Sequence, residues 1–507
     1  MSYFKTRRLE NDLANANSYG EWKDVAQTLD RLEGKDQWLG EESSALYSHR
    51  LIRNRLNELR QLRKKDNVPE LVFWLHEGLH GNLGNMANEA LYSQTRVGTK
   101  PLITQYINEV VEVLEYLASH QFDDFGYDAK IRFFKRVAKC FGRSGLLFSG
   151  GATLGMFHIG VSKALWEHNL LPRVVSGSSA GSIIASAMAT RTDDEFLQFL
   201  DPEYLYLQAF APNNWKSLVD EKAVLSGKQL EHCLQENLGD LTFAEAFERT
   251  GRILNIPISP VASNQMPRLM NYLTGPNVLI RTASLASCSI PGIFPPAKLM
   301  GKNFDGSITP YLPSLRWADG SLKSDLPMLR MARLHDVNHY IVSQTNPHIA
   351  PFLHRAAESE RKKGVLPFAK DLVTGSLQAQ GKHVLATAQN HVSQPFIKRV
   401  LGEAHSILNQ NYRGDITIIP RFDPIKMAKV LTNPTPEDIE SFIIAGERET
   451  WPQMERIRNA SIISQTLEDC IRQLKIEGRQ QPTGPSIKRA SFSAKSIIEA
   501  VGLQKKS

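Results

Sequence analysis

Apolar and polar positions change period twice along this chain. Up to about residue 140 the apolar residues recur at helical spacing. Trp22, Val25, Ala26, Leu29 and Leu32 form one stripe, Ile52, Leu56, Leu59 and Leu62 a second, and Ile103, Tyr106, Ile107, Val110, Val111 and Leu114 a third. That periodicity predicts a helical region over residues 1–140, punctuated by Gly34 and Gly40, with Pro101 suited to the first turn of the third helix. Over residues 141–350 short apolar runs at 146–148, 174–175, 253–256 and 339–342 alternate with helical stretches. This alternation predicts an α/β domain with a mostly parallel central sheet and helices on its faces. Residues 191–248 read as an insertion of helical character. Residues 351–477 read as mainly helical with one strand at 415–420, and Thr435, Pro436 and Asp438 have the order of an N-cap, an N1 proline and a capping acid. The helix they open runs through Ile439, Phe442, Ile443 and Ile444. Residues 478–507, rich in Gln, Pro, Ser and Lys, read as a disordered basic tail with a short helix near Ile497.

The glycines concentrate where candidate chemistry does. The apolar run 146–148 leads into Ser149-Gly150-Gly151-Ala152-Thr153-Leu154-Gly155. Val174 and Val175 lead into Gly177-Ser178-Ser179-Ala180-Gly181, after which Ile183, Ile184 and Ala185 continue as a helix. G-x-S-x-G between a strand and a helix is the pattern of a nucleophile elbow, a sharp turn that lifts the serine hydroxyl out of the backbone. Ser179 is therefore the candidate nucleophile, with Gly177 and Gly181 leaving room for neighbouring backbone. The earlier loop lacks the Lys-Ser/Thr of a phosphate-binding loop, and Ala152 breaks the G-x-G-x-x-G spacing. An oxyanion hole is the better reading, with donors at or near Gly150, Gly151 and Ala152.

The glycine loop, the Gly177–Gly181 elbow and a later Asp-Gly together resemble the patatin-like phospholipases and lipases. The Asp-Gly is Asp319-Gly320, within Trp317-Ala318-Asp319-Gly320-Ser321. Residues 286–296 (Ala-Ser-Cys-Ser-Ile-Pro-Gly-Ile-Phe-Pro-Pro) look like the run that precedes the acid in that family, and Ser324-Asp325-Leu326-Pro327 follows it as it often does there. The resemblance implies a three-layer patatin-like fold, a Ser179–Asp319 dyad without histidine, and motif glycines at Gly155, Gly177, Gly181 and Gly320; no acidic cluster in the sequence has calcium-loop spacing, so no metal or cofactor is expected. The family's loop usually reads G-G-G-x-R/K-G, so Ala152 and Leu154 are departures that remove its basic residue. The N-terminal region resembles the helical domain of fungal lipid-droplet triacylglycerol lipases and their bacterial relatives. That likeness implies a serine acylhydrolase acting on triacylglycerol, phospholipids or both, at a membrane or lipid-droplet surface. Lysophospholipid acyltransfer and a non-catalytic lipid-surface scaffold are the alternatives.

A second Asp-Gly-Ser, Asp305-Gly306-Ser307, competes for the acid, and Asp319 is preferred for its neighbours. A Ser-Asp-His order would need His335, His339 or His348. His76-Glu77-Gly78-Leu79-His80 matches H-E-x-x-H, but Gly78 and Gly81 weaken the helix that zinc ligation needs. Arg50, Arg53, Arg55, Arg60, Arg63, Lys64 and Lys65 flank the second stripe. They read as the solvated side of a core-packed helix, or as a contact for lipid headgroups. Residues 205–212 read as core packing, with the lining of an acyl groove as the alternative. A net charge of +7 over 507 residues is too mild to argue for nucleic acid. Cys140, Cys233, Cys288 and Cys470 form no C-x-x-C pair, which suits a reducing interior. The first residues lack the apolar core of a signal peptide, and no run of about 18 apolar residues exists. An intracellular, cytoplasmic protein, peripherally associated with membranes or droplets, is expected.

Overall fold

A computed structural model of the protein describes residues 2–214, 223–262, 265–320, 325–347, 413–421 and 430–480. Ser321, Ser324, His348, residues 349–412 and the tail from 481, with the helix expected near Ile497, lie outside the described residues.

The N-terminal region is helical as its periodicity predicts, with α1 (Ser2–Asn15), α2 (Tyr19–Leu32), α3 (Lys35–Gly40), α4 (His49–Lys64), α5 (Val68–Gly78), α6 (Glu89–Tyr92), α7 (Pro101–Ser119) and α8 (Tyr127–Phe141). Ile52, Leu56 and Leu59 of α4 are buried against Ile103, Ile107, Val110 and Leu114 of α7 in one apolar cluster. Arg53, Arg60 and Arg63 of α4 are drawn into ion pairs. Arg60 and Arg63 reach the buried carboxylate of Glu109 at 3.1 and 2.8 Å, and Arg63 also reaches Glu112 at 2.8 Å. Arg53 pairs with Glu42, and Arg55 lies over the Trp74 ring. One face of this helix packs into the core through Ile52, Leu56 and Leu59, while Arg50, Lys64 and Lys65 stay exposed. α5 ends at Gly78, so His76 is helical and His80 is not, and the two do not share a helix face.

The α/β region holds a seven-stranded sheet built from β1 (Arg143–Phe148), β2 (Val174–Gly177), β3 (Ile253–Pro260), β4 (Arg268–Met270), β7 (Trp317–Asp319), β8 (Val337–Ser343) and β9 (Ile416–Ile418). The path is β4-β3-β2-β1-β8-β9, with β3, β2, β1, β8 and β9 parallel and β4 and β7 antiparallel to β3. β5 (Leu299–Lys302) and β6 (Ile308–Tyr311) form a separate hairpin. The strand expected at 415–420 is thus β9, an edge of the main sheet.

Helices α9 (Phe157–Glu167) and α10 (Ala180–Thr190) follow β1 and β2; α11 (Asp193–Phe199), α12 (Gly227–Leu238) and α13 (Phe243–Thr250) lead to β3. α14 (Ile280–Cys288) and α15 (Met328–His335) flank the segment carrying β7, and α16 (Pro436–Thr450) and α17 (Met454–Gln480) are the last described elements. Thr435 caps α16 with the expected reciprocal bonds to Asp438. Leu205, Leu207, Ala209 and Phe210 pack partly buried against the main core, as the core-packing reading of that run expects. No described helix is long and apolar enough to cross a membrane.

The site is positioned by one feature of the pairing. Ile258 of β3 pairs with Arg268 of β4 on one edge and with Asp319 of β7 on the other. β2 pairs lower on β3, through Ile253 to Asn255. β7 therefore continues the β2 side of β3 beyond the point where β2 stops. That is the point where β2 turns into Ser179.

Candidate active site

Ser179 adopts φ 49°, ψ −125° between β2 and α10. A Cβ is crowded in this region of the map, and glycine is the usual occupant. Such a backbone costs on the order of 1–3 kcal/mol and persists only when its surroundings hold it. The Ser179 N–H donates to Ser287 Oγ at 3.0 Å, and its C=O accepts from Ser182 Oγ at 2.6 Å. Gly177 and Gly181 are needed for the close approach of backbone, not only for the turn. A Cβ at Gly177 would lie 2.1 Å from the Gly181 carbonyl oxygen, and one at Gly181 would lie 2.5 Å from that of Phe148. The Ser179 side chain stands at the N-terminal end of α10, where the partial positive charge of the helix favours an anion.

Asp319 is the last residue of β7 and is 1% exposed. Its N–H donates to the Ser289 carbonyl at 3.0 Å. The end of α14 thus holds both candidates, Ser179 through Ser287 and Asp319 through Ser289. Cys288 lies between them. Burial, then the negative charge of Asp319, pushes the Cys288 thiol far above its ordinary range, against the nearby hydroxyls of Ser182 and Ser179, which favour the thiolate. One sulfur atom therefore senses both the candidate nucleophile and the candidate base. Asp305 is placed quite differently, in the exposed turn of the β5–β6 hairpin. Its Oδ1 accepts from Ser307 Oγ at 2.6 Å and Ser307 N–H at 3.0 Å, which lowers its pKa.

The glycine loop lies against the elbow. Gly151 caps a 3-10 turn, Ala152–Met156, in which Ala152 has φ 47°. A Cβ at Gly151 would meet Thr345 Oγ1 at 2.3 Å, and one at Gly155 would meet Ala180 Cβ, the residue after Ser179, at 2.6 Å. Gly320 is held as closely, its Cβ direction pointing at the Pro257 carbonyl oxygen 2.3 Å away. The Gly150 N–H donates to Asp325 Oδ1 at 3.1 Å. Thr153 ties the far end of the loop to the carbonyls of Val430 and Thr432, at 2.8 and 2.7 Å. The motif glycines thus gather around Ser179, Asp319 and the loop. Gly150 is engaged by Asp325, which leaves Gly151 and Ala152 as the loop's candidate donors.

The described histidines nearest the sheet serve the scaffold. His335 Nε2 bonds Asn255 Oδ1 at 2.9 Å, and His339 Nδ1 bonds Ser144 Oγ at 3.0 Å. Burial lowers the pKa of both, His335 to about 4. His158 is buried under the glycine loop, 2.7 Å from Ser343 Oγ and 3.0 Å from the Ser149 carbonyl, and burial lowers it to about 4 too. Among the described residues no cluster of three or more His, Cys, Asp or Glu side chains is arranged for a metal.

Two family models match the sequence. A domain of unknown function (DUF3336) matches residues 2–139, and the patatin-like phospholipase model matches residues 146–331. A triacylglycerol lipase of Schizosaccharomyces pombe is 35% identical over 469 residues, which cover 88% of this chain and 93% of the relative. The chain belongs to the patatin-like phospholipase and lipase family. Triacylglycerol lipases of Arabidopsis thaliana and Saccharomyces cerevisiae are 34% and 36% identical over 97% and 88% of this chain. The chain spans only 61% and 51% of their lengths.

Two contributors to this patatin-like site escape sequence reasoning. Ser287 lies in a run that stands out in the sequence only for its likeness to the family. Asp325 stands out only as part of the motif that follows the acid. A partial signal for Ser287 is present, since a small polar residue beside the Pro-rich turn suits a buried hydrogen bond to backbone.

Proposed function

We propose that this protein is a serine acylhydrolase that cleaves fatty-acyl esters of triacylglycerol, phospholipids or both at a lipid surface, using a Ser179–Asp319 dyad. The observation that carries the reading is the shared anchorage of Ser179 and Asp319 by Ser287 and Ser289 at one end of α14. The names of the relatives support a triacylglycerol-type substrate.

The Asp319 carboxylate accepts the Ser179 proton as Oγ attacks the ester carbonyl. Negative charge develops on the carbonyl oxygen, where the Gly151 and Ala152 N–H groups and the N-terminal end of α10 are suited to receive it. The C–O bond to the alcohol breaks, and the proton on Asp319 passes to the leaving oxygen. Water then attacks the acyl-enzyme, giving its proton to Asp319, and fatty acid departs as Ser179 regains its hydrogen. A free carboxylate is a weak base for an alcohol, with a pKa near 4. The burial of Asp319 therefore suits the role, since a water-poor pocket raises the basicity of a carboxylate. Such a pocket also suits an acyl group.

The test is fatty-acid release from triolein, phosphatidylcholine, lysophosphatidylcholine and a short p-nitrophenyl ester, with EDTA present. Wild type, Ser179→Ala and Asp319→Asn are compared, with thermal unfolding as the fold control. Loss by about 10³-fold or more in both variants, as order-of-magnitude reasoning for paired catalytic groups gives, supports the dyad. Ser179→Ala with wild-type activity removes it, and the preferred ester assigns the substrate.

A further inference from the structure

Two arms of the candidate site come from distant parts of the sequence. The glycine loop follows β1, and the elbow follows β2. Their separation decides whether an oxyanion formed at Ser179 reaches the N–H groups of Gly151 and Ala152. Hydrogen bonds to a developing oxyanion work over about 2.7–3.1 Å, so a small drift is expensive in rate.

We propose that Asp325 is a positioning residue that sets this separation by holding both arms at once. Its Oδ1 accepts the Gly150 N–H at 3.1 Å, one residue before the candidate donors. Its backbone carbonyl accepts the Ser178 Oγ–H at 2.6 Å, one residue before the candidate nucleophile. The Asn346 side chain also favours the ionised form of its carboxyl group. The residue is 1% exposed, so these bonds are not replaced by water when one is lost. The Gly150 end is backed independently. Ser149 N–H donates to the Ser343 carbonyl at 3.1 Å, and Thr345 N–H donates to Ser149 Oγ at 2.8 Å. The elbow end is backed by the Ser178 N–H, which donates to the Phe148 carbonyl at 3.0 Å. Those bonds fix each arm to the sheet. Asp325 bonds to the two arms together. In the sequence Asp325 follows Asp319 by six residues.

An acceptor at Oδ1 is what this role requires. Asparagine supplies one and alanine does not. A structural role alone would lower stability without separating these two variants in turnover.

This inference rests on the serine-acylhydrolase reading, and the experiment separates the two. Hydrolysis of a short p-nitrophenyl ester is measured for wild type, Ser179→Ala, Asp325→Ala, Asp325→Asn and Ser178→Ala, each checked by thermal unfolding. Activity that survives in Ser179→Ala overturns the reading of the site itself. With Ser179 essential, the expected result is a fall in kcat of about 10²-fold for Asp325→Ala with KM changed less than about threefold, the size of losing one aligned oxyanion donor. Asp325→Asn recovers most of that loss. Ser178→Ala, which removes the other arm of the hold, lowers kcat by a smaller factor. If Asp325→Ala does not fold, Asp325→Asn and Ser178→Ala decide, and a wild-type kcat in Ser178→Ala overturns the proposal. An unchanged kcat in folded Asp325→Ala, a loss carried by KM, or an equal loss in the alanine and asparagine variants overturns it as well.

Discussion

At the scale of the residue, function and stability pull apart at Ser179. Its φ of 49° is one that glycine adopts freely and serine does not. Ser179→Gly and Ser179→Ala both remove the hydroxyl, so both abolish hydrolysis under the proposed mechanism. Only the glycine relieves the backbone, and it is expected to be the more stable of the two by about 1 kcal/mol, the usual cost of a Cβ in this region. Urea unfolding of the two variants measures the difference, and equal stabilities would show that the elbow carries no such strain. Asp325 offers a second test. Burial raises its carboxyl from 3.8 to about 7, against opposing hydrogen bonds from Gly150, Asn346 and Ser178. Between about pH 4 and 7 the native form keeps a proton that the unfolded protein has released. The native state binds more protons there, so the stability this group contributes falls as pH rises through the window and levels off above pH 7. The decline is on the order of 4 kcal/mol in total for a pKa that moves from 3.8 to about 7. Asp325→Asn cannot titrate, so its stability should change less between about pH 4.5 and 7 than that of the wild type. Parallel curves for the two proteins would mean that Asp325 ionises as an ordinary surface carboxyl does.

At the scale of the element, the helix crossing behind the site depends on two glycines. α9 and α16 pack so closely that a Cβ on Gly160 would lie 1.9 Å from the Ile443 carbonyl oxygen. A Cβ on Gly446 would lie 2.3 Å from that of Phe157 and 3.0 Å from Gly160 Cα. Because these contacts are to backbone, no rotamer change relieves them. Gly446→Ala is expected to destabilise by about 3 kcal/mol, as overpacking against a rigid neighbour does. A variant within about 0.5 kcal/mol of wild type in urea, the range of an ordinary surface substitution, would show that the crossing is looser than this. Such pairs mark the limit of sequence reading. The apolar stripes of α2, α4 and α7, the strand–glycine–helix order around Ser179 and the capping box of α16 are local patterns, and all are legible in the sequence. That Gly160 faces Gly446, that Asp325 reaches Gly150, and that the cations of α4 meet Glu109 are facts of assembly. They join residues tens to hundreds of positions apart, and no local period encodes them. The two Asp-Gly-Ser sequences show the same boundary. They are alike as strings, and only the pairing of β7 with β3 buries Asp319 and leaves Asp305 in an exposed turn.

At the scale of the molecule, α17 binds the helical and the α/β parts into one structure. Its first turns, Met454 and Ile457, belong to the core around the main sheet. Farther along, Ile463, Leu467, Cys470 and Leu474 belong to the core shared with α4, α5, α7 and α8. Glu468 adds a polar tie at the junction, 3.0 Å from Arg143 of β1 and 3.3 Å from Arg173 before β2. Burial raises the Glu468 pKa while Arg143 and Arg173 oppose it, so the carboxylate depends on these partners to stay ionised. A helix that supplies side chains to two cores transmits the loss of one to the other. The two parts should therefore unfold as one cooperative unit rather than as separate domains. Leu467 is fully buried, and Leu467→Ala should cost about 2–5 kcal/mol, the range for emptying such a site. The informative quantity is where that cost is felt. In scanning calorimetry the variant should shift a single endotherm downward, and ester hydrolysis should be lost over the same temperatures, although Leu467 lies in the core remote from Ser179. Two endotherms, with the one that tracks hydrolysis unmoved, would show instead that α17 only rests on the catalytic part and that the helical region folds for itself.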